Sequence, residues 1–178
     1  MNIWHDISPK RITKDKFYAV IEISKGDKNK YELDKETGFL KLDRVLFTST
    51  HYPANYGFIP RTFAEDSDPL DVLVLCSEKI QPMTLVECKP IGVLNMIDNN
   101  SNDEKIIAVP VNDPNYNCFG DIDELPRHYF DEIKHFFQVY KTLENGKETN
   151  VTEFGGVDKA KEVIQNSIDG YIRDFQLA

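Results

Sequence analysis

A chain of 178 residues with 40% hydrophobic content carries enough apolar side chains for one domain of ordinary soluble composition, spanning residues 1–178. Its formal net charge of −9 argues against a partner that needs a broadly basic surface, nucleic acid first among them, but leaves small phosphates open, since screening fades distant acids while nearby Lys and Arg act at full strength. No apolar run reaches membrane-spanning length, the start Met1-Asn2-Ile3-Trp4-His5-Asp6 lacks the basic and apolar parts of a signal peptide, and Cys76, Cys88 and Cys118 have neither disulfide-framework nor zinc spacing, so a cytoplasmic protein is expected.

The first two-thirds read as strands separated by turns. Phe17 to Ile23 is rich in β-formers and is followed by the turn Ser24-Lys25-Gly26-Asp27. Tyr31 to Asp34 and Phe39 to Asp43 alternate apolar with polar around Thr37-Gly38, which predicts a hairpin. His51 to Pro60 brackets aromatics with two prolines and a glycine, the pattern of a rigid shaped loop in which the spacing does not tell which tyrosine, Tyr52 or Tyr56, would face a ligand. Asp71 to Cys76 reads as a buried strand. Leu85 to Met96 is a further strand with a bend or bulge at Pro90-Ile91-Gly92, and Ile106 to Val111 follows a polar loop, Asp98 to Asp103. The last third changes period. With Asp123 as N-cap, Leu125, Tyr129, Ile133, Phe136, Phe137 and Tyr140 share one helical face up to Asn145-Gly146, and Val157 to Phe175 carries a second amphipathic stripe. Strands followed by helices predict an α+β fold: a small closed antiparallel barrel with an additional hairpin and two C-terminal helices packed outside.

The densest chemistry is Asp66-Ser67-Asp68-Pro69-Leu70-Asp71, three carboxylates just ahead of the apolar run Val72-Leu73-Val74-Leu75. Like charges packed so closely are either fully solvated, as Asp, Ser and Pro in a plain turn would be, or neutralised by a bound cation. An EF-hand counted from Asp66 needs an oxygen ligand, glycine and glutamate where the chain has Leu70, Asp71 and Ser77, so that motif is absent. A hard-cation site drawn from two loops, with Asp66, Asp71, Asp98 and Asp103 as oxygen ligands, remains open. Lys30 and Glu32 share a strand face by period two, Arg44 closes the next strand, Lys105 lies two residues past Asp103, and Tyr140-Lys141 ends the first helix. Each of these has the plain alternative of solvated surface or core. His5, His51, His128 and His135 have no zinc spacing and read as non-catalytic.

Glu22, Lys30-Tyr31-Glu32, Asp43-Arg44, Tyr52 to Gly57, Asp66 to Val72, Asp98, Asp103, Lys105 and Tyr140-Lys141 follow one another in the order and with the gaps of a known family. From about residue 15 to about residue 145 the chain resembles the soluble, magnesium-dependent family I inorganic pyrophosphatases of prokaryotic type, the segment Asp66 to Val72 being the most specific block. The first dozen residues and the last helix add little to that likeness. The resemblance implies an OB-like five-stranded barrel, hydrolysis of diphosphate to two orthophosphates, several Mg²⁺ ions and a homohexamer. It also implies metal binding by Asp66, Asp71, Asp98 and Asp103 with Glu22 and Glu32 as further acids. Asp68 falls at the position of the general base, and Lys105 at a second catalytic position. Lys30, Arg44, Tyr56, Tyr140 and Lys141 fall at phosphate-binding positions. Two departures stand out: Asn99 follows Asp98 where some members carry another acid, and segment 147–156 lacks the tryptophans that bacterial relatives often have. A single-strand nucleic-acid module would need basic strands with exposed aromatics, whereas these loops are acidic. A hydrolase of other phosphoesters stays open as the second alternative.

Overall fold

The computed structural model describes residues 2–147 and 149–175. In chain order it runs α1 (Ile3–Asp6), a 3-10 turn at Pro9–Arg11, β1 (Phe17–Ile23), β2 (Asn29–Leu33), β3 (Leu40–Val45), β4 (Asn55–Phe58), β5 (Asp71–Val74), β6 (Leu85–Asp98), β7 (Ser101–Pro110), a 3-10 turn at Ile122–Glu124, α2 (His128–Val139), β8 (Thr149–Gly156) and α3 (Val157–Phe175). Strands β1-β4-β5-β7-β6 follow one another in the sheet, and a β1–β6 pairing closes them into a ring. This is the expected OB-like arrangement, with β2–β3 as the separate hairpin.

The ring is antiparallel except at one seam, where β5 and β7 pair in parallel with Asp71 opposite Lys105. The seam follows from connectivity: β6 is antiparallel to β7 and lies between β5 and β7 in sequence, so the chain returns beside β5 running the same way. The long strand β6 serves two partners. Its start, Leu85 to Cys88, pairs with β1, and its end, Gly92 to Asp98, pairs with β8. A register shift between Pro90 and Gly92 separates the two halves, as the Pro-Ile-Gly segment predicts, because proline cannot donate to the ladder.

Strand β5 reads as an unbroken apolar run because both of its faces are covered. Leu73 packs with Ile107, Ile133, Phe136 and Phe137, so this face is shared with α2. Val72 and Val74 join Ile21, Ile106, Ala160, Val163 and Ile164, which include the buried stripe of α3. A third cluster gathers Trp4, Val20, Leu33, Phe58 and Tyr171. Gly57 is required where β4 crosses β1, since a Cβ there would lie 1.8 Å from the Val20 carbonyl oxygen.

Five local expectations change. Asn55–Phe58, inside the segment read as a rigid loop, forms strand β4, because its Gly57 lets the backbone pack against β1 while it also pairs with β5. Helix α2 begins at His128 rather than just after Asp123; Pro126 forces Leu125 into extended backbone (φ −95°, ψ 151°), and Asp121, not Asp123, caps the short 3-10 turn. The polar loop between β6 and β7 shrinks to Asn99-Asn100, both at positive φ, a two-residue hairpin turn that leaves Asp98 and Asp103 on strands. The last residues of the second hairpin strand end at Pro110 rather than Val111. Finally, Thr149–Gly156 forms a strand that its weak alternation did not announce; Glu148 lies outside the described residues. No helix among the described residues is long and apolar enough to cross a membrane.

Candidate active site

Every residue singled out above as catalytic, substrate-binding or metal-ligating lines one cavity of about 670 Å³. The ring supplies most of its floor: Glu22 from β1, Tyr56 from β4, Asp71 from β5, and Asp103 and Lys105 from β7. Asp103 and Lys105 face the same way because strand side chains alternate, and the parallel seam sets Asp71 beside them. Asp98 closes the end of β6, while Lys30, Glu32 and Arg44 reach in from the β2–β3 hairpin, where Lys30 and Arg44 are cross-strand partners. Tyr140 and Lys141 arrive from the turn that ends α2. Asp66 and Asp68 sit on the loop between β4 and β5.

Lys105 is the hub. Its Nζ donates to Asp71 Oδ2 at 2.7 Å, to both Asp103 oxygens at 3.1 Å and to the Tyr56 hydroxyl at 3.0 Å. Burial works against the ammonium, but Asp103 and Asp71 outweigh it and hold Lys105 charged well above the usual lysine range. Around it the other pairs are Lys30 with Glu32, Lys141 with Asp98, Lys35 with Asp68, and Arg44 with Asp43. Arg44 Nε also donates to Glu144 Oε2 at 3.0 Å.

Carboxylates nevertheless outnumber cations in the lining by ten to seven, and the surplus shows in their acidities. Burial lifts Glu22 to about 8, with its Oε1 accepting the Leu33 amide at 2.7 Å, and burial together with Asp71 and Asp103 lifts Asp66 to about 6. Asp103 is raised too, by burial and by the Asp71 charge, against the pull of Lys105. Among the described residues three buried side-chain atoms lack a hydrogen-bond partner, and two of them, Asp98 Oδ1 and Arg44 Nη2, belong to this cavity, the third being Glu104 Oε2 outside it. An acceptor and a donor, both unpaired in one cavity, fit a cation and an anion bound together. The donor set fits a hard divalent cation, since all the anionic groups offer carboxylate oxygen. As the side chains stand, lysines separate the acids, and among the described residues no three His, Cys, Asp or Glu converge as a ligand set.

The tyrosine left ambiguous by the sequence resolves cleanly. Tyr56 lines the cavity and bonds Lys105, whereas Tyr52 is 2% exposed and packs its ring 4.7 Å from that of Phe136. Several charged lining residues, Asp34 and Glu36 among them, carry no signal that the pattern could have separated from surface. Lys35, Lys41 and Lys147 are lysines in or near turns, whereas Asp43, on an exposed stretch of β3, was legible only as part of the Asp43-Arg44 block of the family likeness.

An OB-like ring with a cavity in which oxygen acids and a cluster of Lys, Arg and Tyr face one another defines a metal-assisted phosphoryl-transfer class of protein. Residues 19–172 match the profile of the inorganic pyrophosphatases. The chain belongs to that family. It is 49% identical over 168 residues to soluble inorganic pyrophosphatase 2 of Chlamydomonas reinhardtii, covering 94% of this chain and 87% of that one. It is 42% identical over 175 residues to the inorganic pyrophosphatase of Haloferax volcanii, covering 98% and 99%. The solved inorganic pyrophosphatase of Helicobacter pylori superposes with a TM-score of 0.89 at 44% identity, over 93% of this chain and 98% of that one.

Proposed function

We propose that this protein hydrolyses inorganic diphosphate to two orthophosphates with Mg²⁺ as its metal. The observation that carries the reading is the pairing of unsatisfied atoms, Asp98 Oδ1 and Arg44 Nη2, in a cavity where acids and bases alternate in a chain of this family. Diphosphate brings several negative charges, so attack at phosphorus requires those charges to be neutralised and the leaving phosphate stabilised. Asp66, Asp71, Asp98 and Asp103 would hold the ions, with Glu22 and Glu32 as further acids. When bound, Mg²⁺ supplies charge neutralisation of phosphate oxygens and makes water more acidic.

The remaining steps belong to side chains. Asp68 orients the attacking water and accepts its proton as the new P–O bond forms and the bridging P–O bond breaks. Lys30 and Tyr56 hold the attacked phosphoryl group. Arg44, Tyr140 and Lys141 hold the departing phosphate, and Arg44 brings its unpaired Nη2 as a donor. Lys105 locks Asp71, Asp103 and Tyr56 in one geometry, so its catalytic role is to keep acids and phenol in register. The whole chain acts as one domain, in the cytoplasm, as a homo-oligomer for which the hexamer is the favoured size; exposed Phe39, Leu42, Val45, Phe47 and Leu143 support self-association.

Phosphate release from diphosphate, measured with and without Mg²⁺ and beside ATP, tests the reading. Release from diphosphate that depends on Mg²⁺ and exceeds release from ATP is the expected result. Preference for ATP, or no release from diphosphate in Mg²⁺, would overturn it.

A further inference from the structure

The loop that carries Asp66 and Asp68 is bound to the rest of the fold mainly through residues outside the cavity lining. At its start, the Arg61 amide donates to the Trp4 carbonyl at 3.0 Å, the Trp4 indole Nε1 donates to the Thr62 carbonyl at 3.0 Å, and the Phe63 amide donates to the Ser167 carbonyl at 2.9 Å. At its end, the Leu70 amide donates to Thr62 Oγ1 at 2.9 Å, so Thr62 ties both flanks together. Between them the loop folds on itself. Ala64 donates to the Asp68 carbonyl at 2.8 Å, the Asp68 amide donates to Asp66 Oδ1 at 3.1 Å, and Ser67 sits at φ 66°, a left-handed conformation that costs a serine energy unless neighbours hold it.

The Asp68 carboxylate itself meets Lys35 Nζ. Lys35 is in turn fixed twice by the N-terminus: its carbonyl accepts from Asn2 Nδ2 at 3.0 Å, and its ammonium lies 5.5 Å from the centre of the Trp4 ring. Trp4 is 5% exposed, wedged among Phe63, Tyr171 and Phe175. One short helix therefore grips the loop by its backbone and, through Lys35, by the very carboxylate that is to take the proton.

We infer that Trp4 and Lys35 are positioning residues: α1 is a clasp that holds the Asp66–Asp68 loop and aims the Asp68 carboxylate into the cavity. The inference rests on Asp68 being the proton acceptor of the proposed reaction. A loop released by as little as 1 Å loses turnover without losing its charge, because near-attack geometry is what it contributes. Lys35 and Asp68 are half exposed, at 47% and 56% of their side chains, so breaking their pair does little to global stability.

The test compares K35M, K35R and W4F with wild type in Mg²⁺ and diphosphate, together with hydrogen exchange of the 64–68 amides. K35M should lower kcat about tenfold with KM within about twofold and an unchanged Tm, K35R should recover most of the loss, and exchange at 64–68 should quicken in K35M and W4F. The double variant W4F/K35M should be no slower than K35M, because both act along one path. Wild-type kcat in K35M overturns the clasp. So does a raised KM at unchanged kcat, which would make Lys35 a phosphate ligand instead, and so does exchange at 64–68 that matches wild type. An inactive wild type would instead remove the proposed reaction, while the exchange data would still decide whether the clasp exists.

Discussion

Asp68 and Asp71 differ in what surrounds them, and the proposed division of their roles rests on that difference. Asp71 shares the buried Lys105 ammonium with Asp103 and is itself partly buried, whereas Asp68 stands half exposed on the loop beside Lys35. D68N should therefore lower kcat by about 10² to 10⁴, the usual scale for a lost general base, while leaving Mg²⁺ affinity close to wild type. D71N should weaken both, and calorimetric titration with Mg²⁺ separates them; equal affinity losses in the two variants would mean that the base and ligand roles are misassigned. Glu22 gives a pH prediction. Its folded value of about 8 lies above the ordinary 4.5, so between those values the metal-free folded state keeps a proton that the unfolded chain has released. Its contribution to stability is full below pH 4.5 and is lost as pH rises to 8, at up to about 1.4 kcal/mol per pH unit. E22Q, neutral throughout, should gain on wild type across that window in urea unfolding with EDTA present, and parallel profiles would count against a protonated Glu22.

At the scale of elements, most strands and α3 were legible because their signals are local. Gly38 at φ 76° closes the predicted β2–β3 hairpin, the Pro90–Gly92 bulge sits where the ladder loses a donor, and the stripe of α3 buries Ala160, Val163 and Ile164. Strand β8 was not legible, since its ladder partner β6 lies some fifty residues earlier and only Val151 on it is fully buried. The start of α2 was misjudged because a carboxylate that looks like a cap competes with a proline three residues later, and the proline wins by geometry. The tightest element contact also yields a test. G57A places a methyl group against the β1 backbone, which cannot rotate away, so the substitution should cost about 3 kcal/mol in urea unfolding. A loss below about 1 kcal/mol would mean that β1 and β4 can separate at no cost.

Across the whole molecule, the proposed metal site would couple folding to cation binding through the acid surplus of the cavity. Cations that bind the folded cavity and not the unfolded chain stabilise by mass action, about 2.7 kcal/mol at a hundred times the dissociation constant. Mg²⁺ should thus raise Tm in calorimetry and EDTA should reverse it, with the rise reduced in D71N; a Tm indifferent to Mg²⁺ would speak against a cation in this cavity. The sequence by itself determined which residue types are present, the period of each element and the carboxylate cluster before a buried strand, because these depend on neighbours a few positions apart. Through its likeness to a family it also named thirteen of the residues that line the cavity, Tyr56 among them. It took the folded arrangement to show that Asp71 lies against Lys105 across a parallel seam, that the Tyr56 hydroxyl bonds Lys105, and that Trp4 and Lys35 reach the Asp68 loop. Those contacts join residues 30 to 60 positions apart in the chain, where no local propensity acts and only closure of the ring brings the groups within reach of one another.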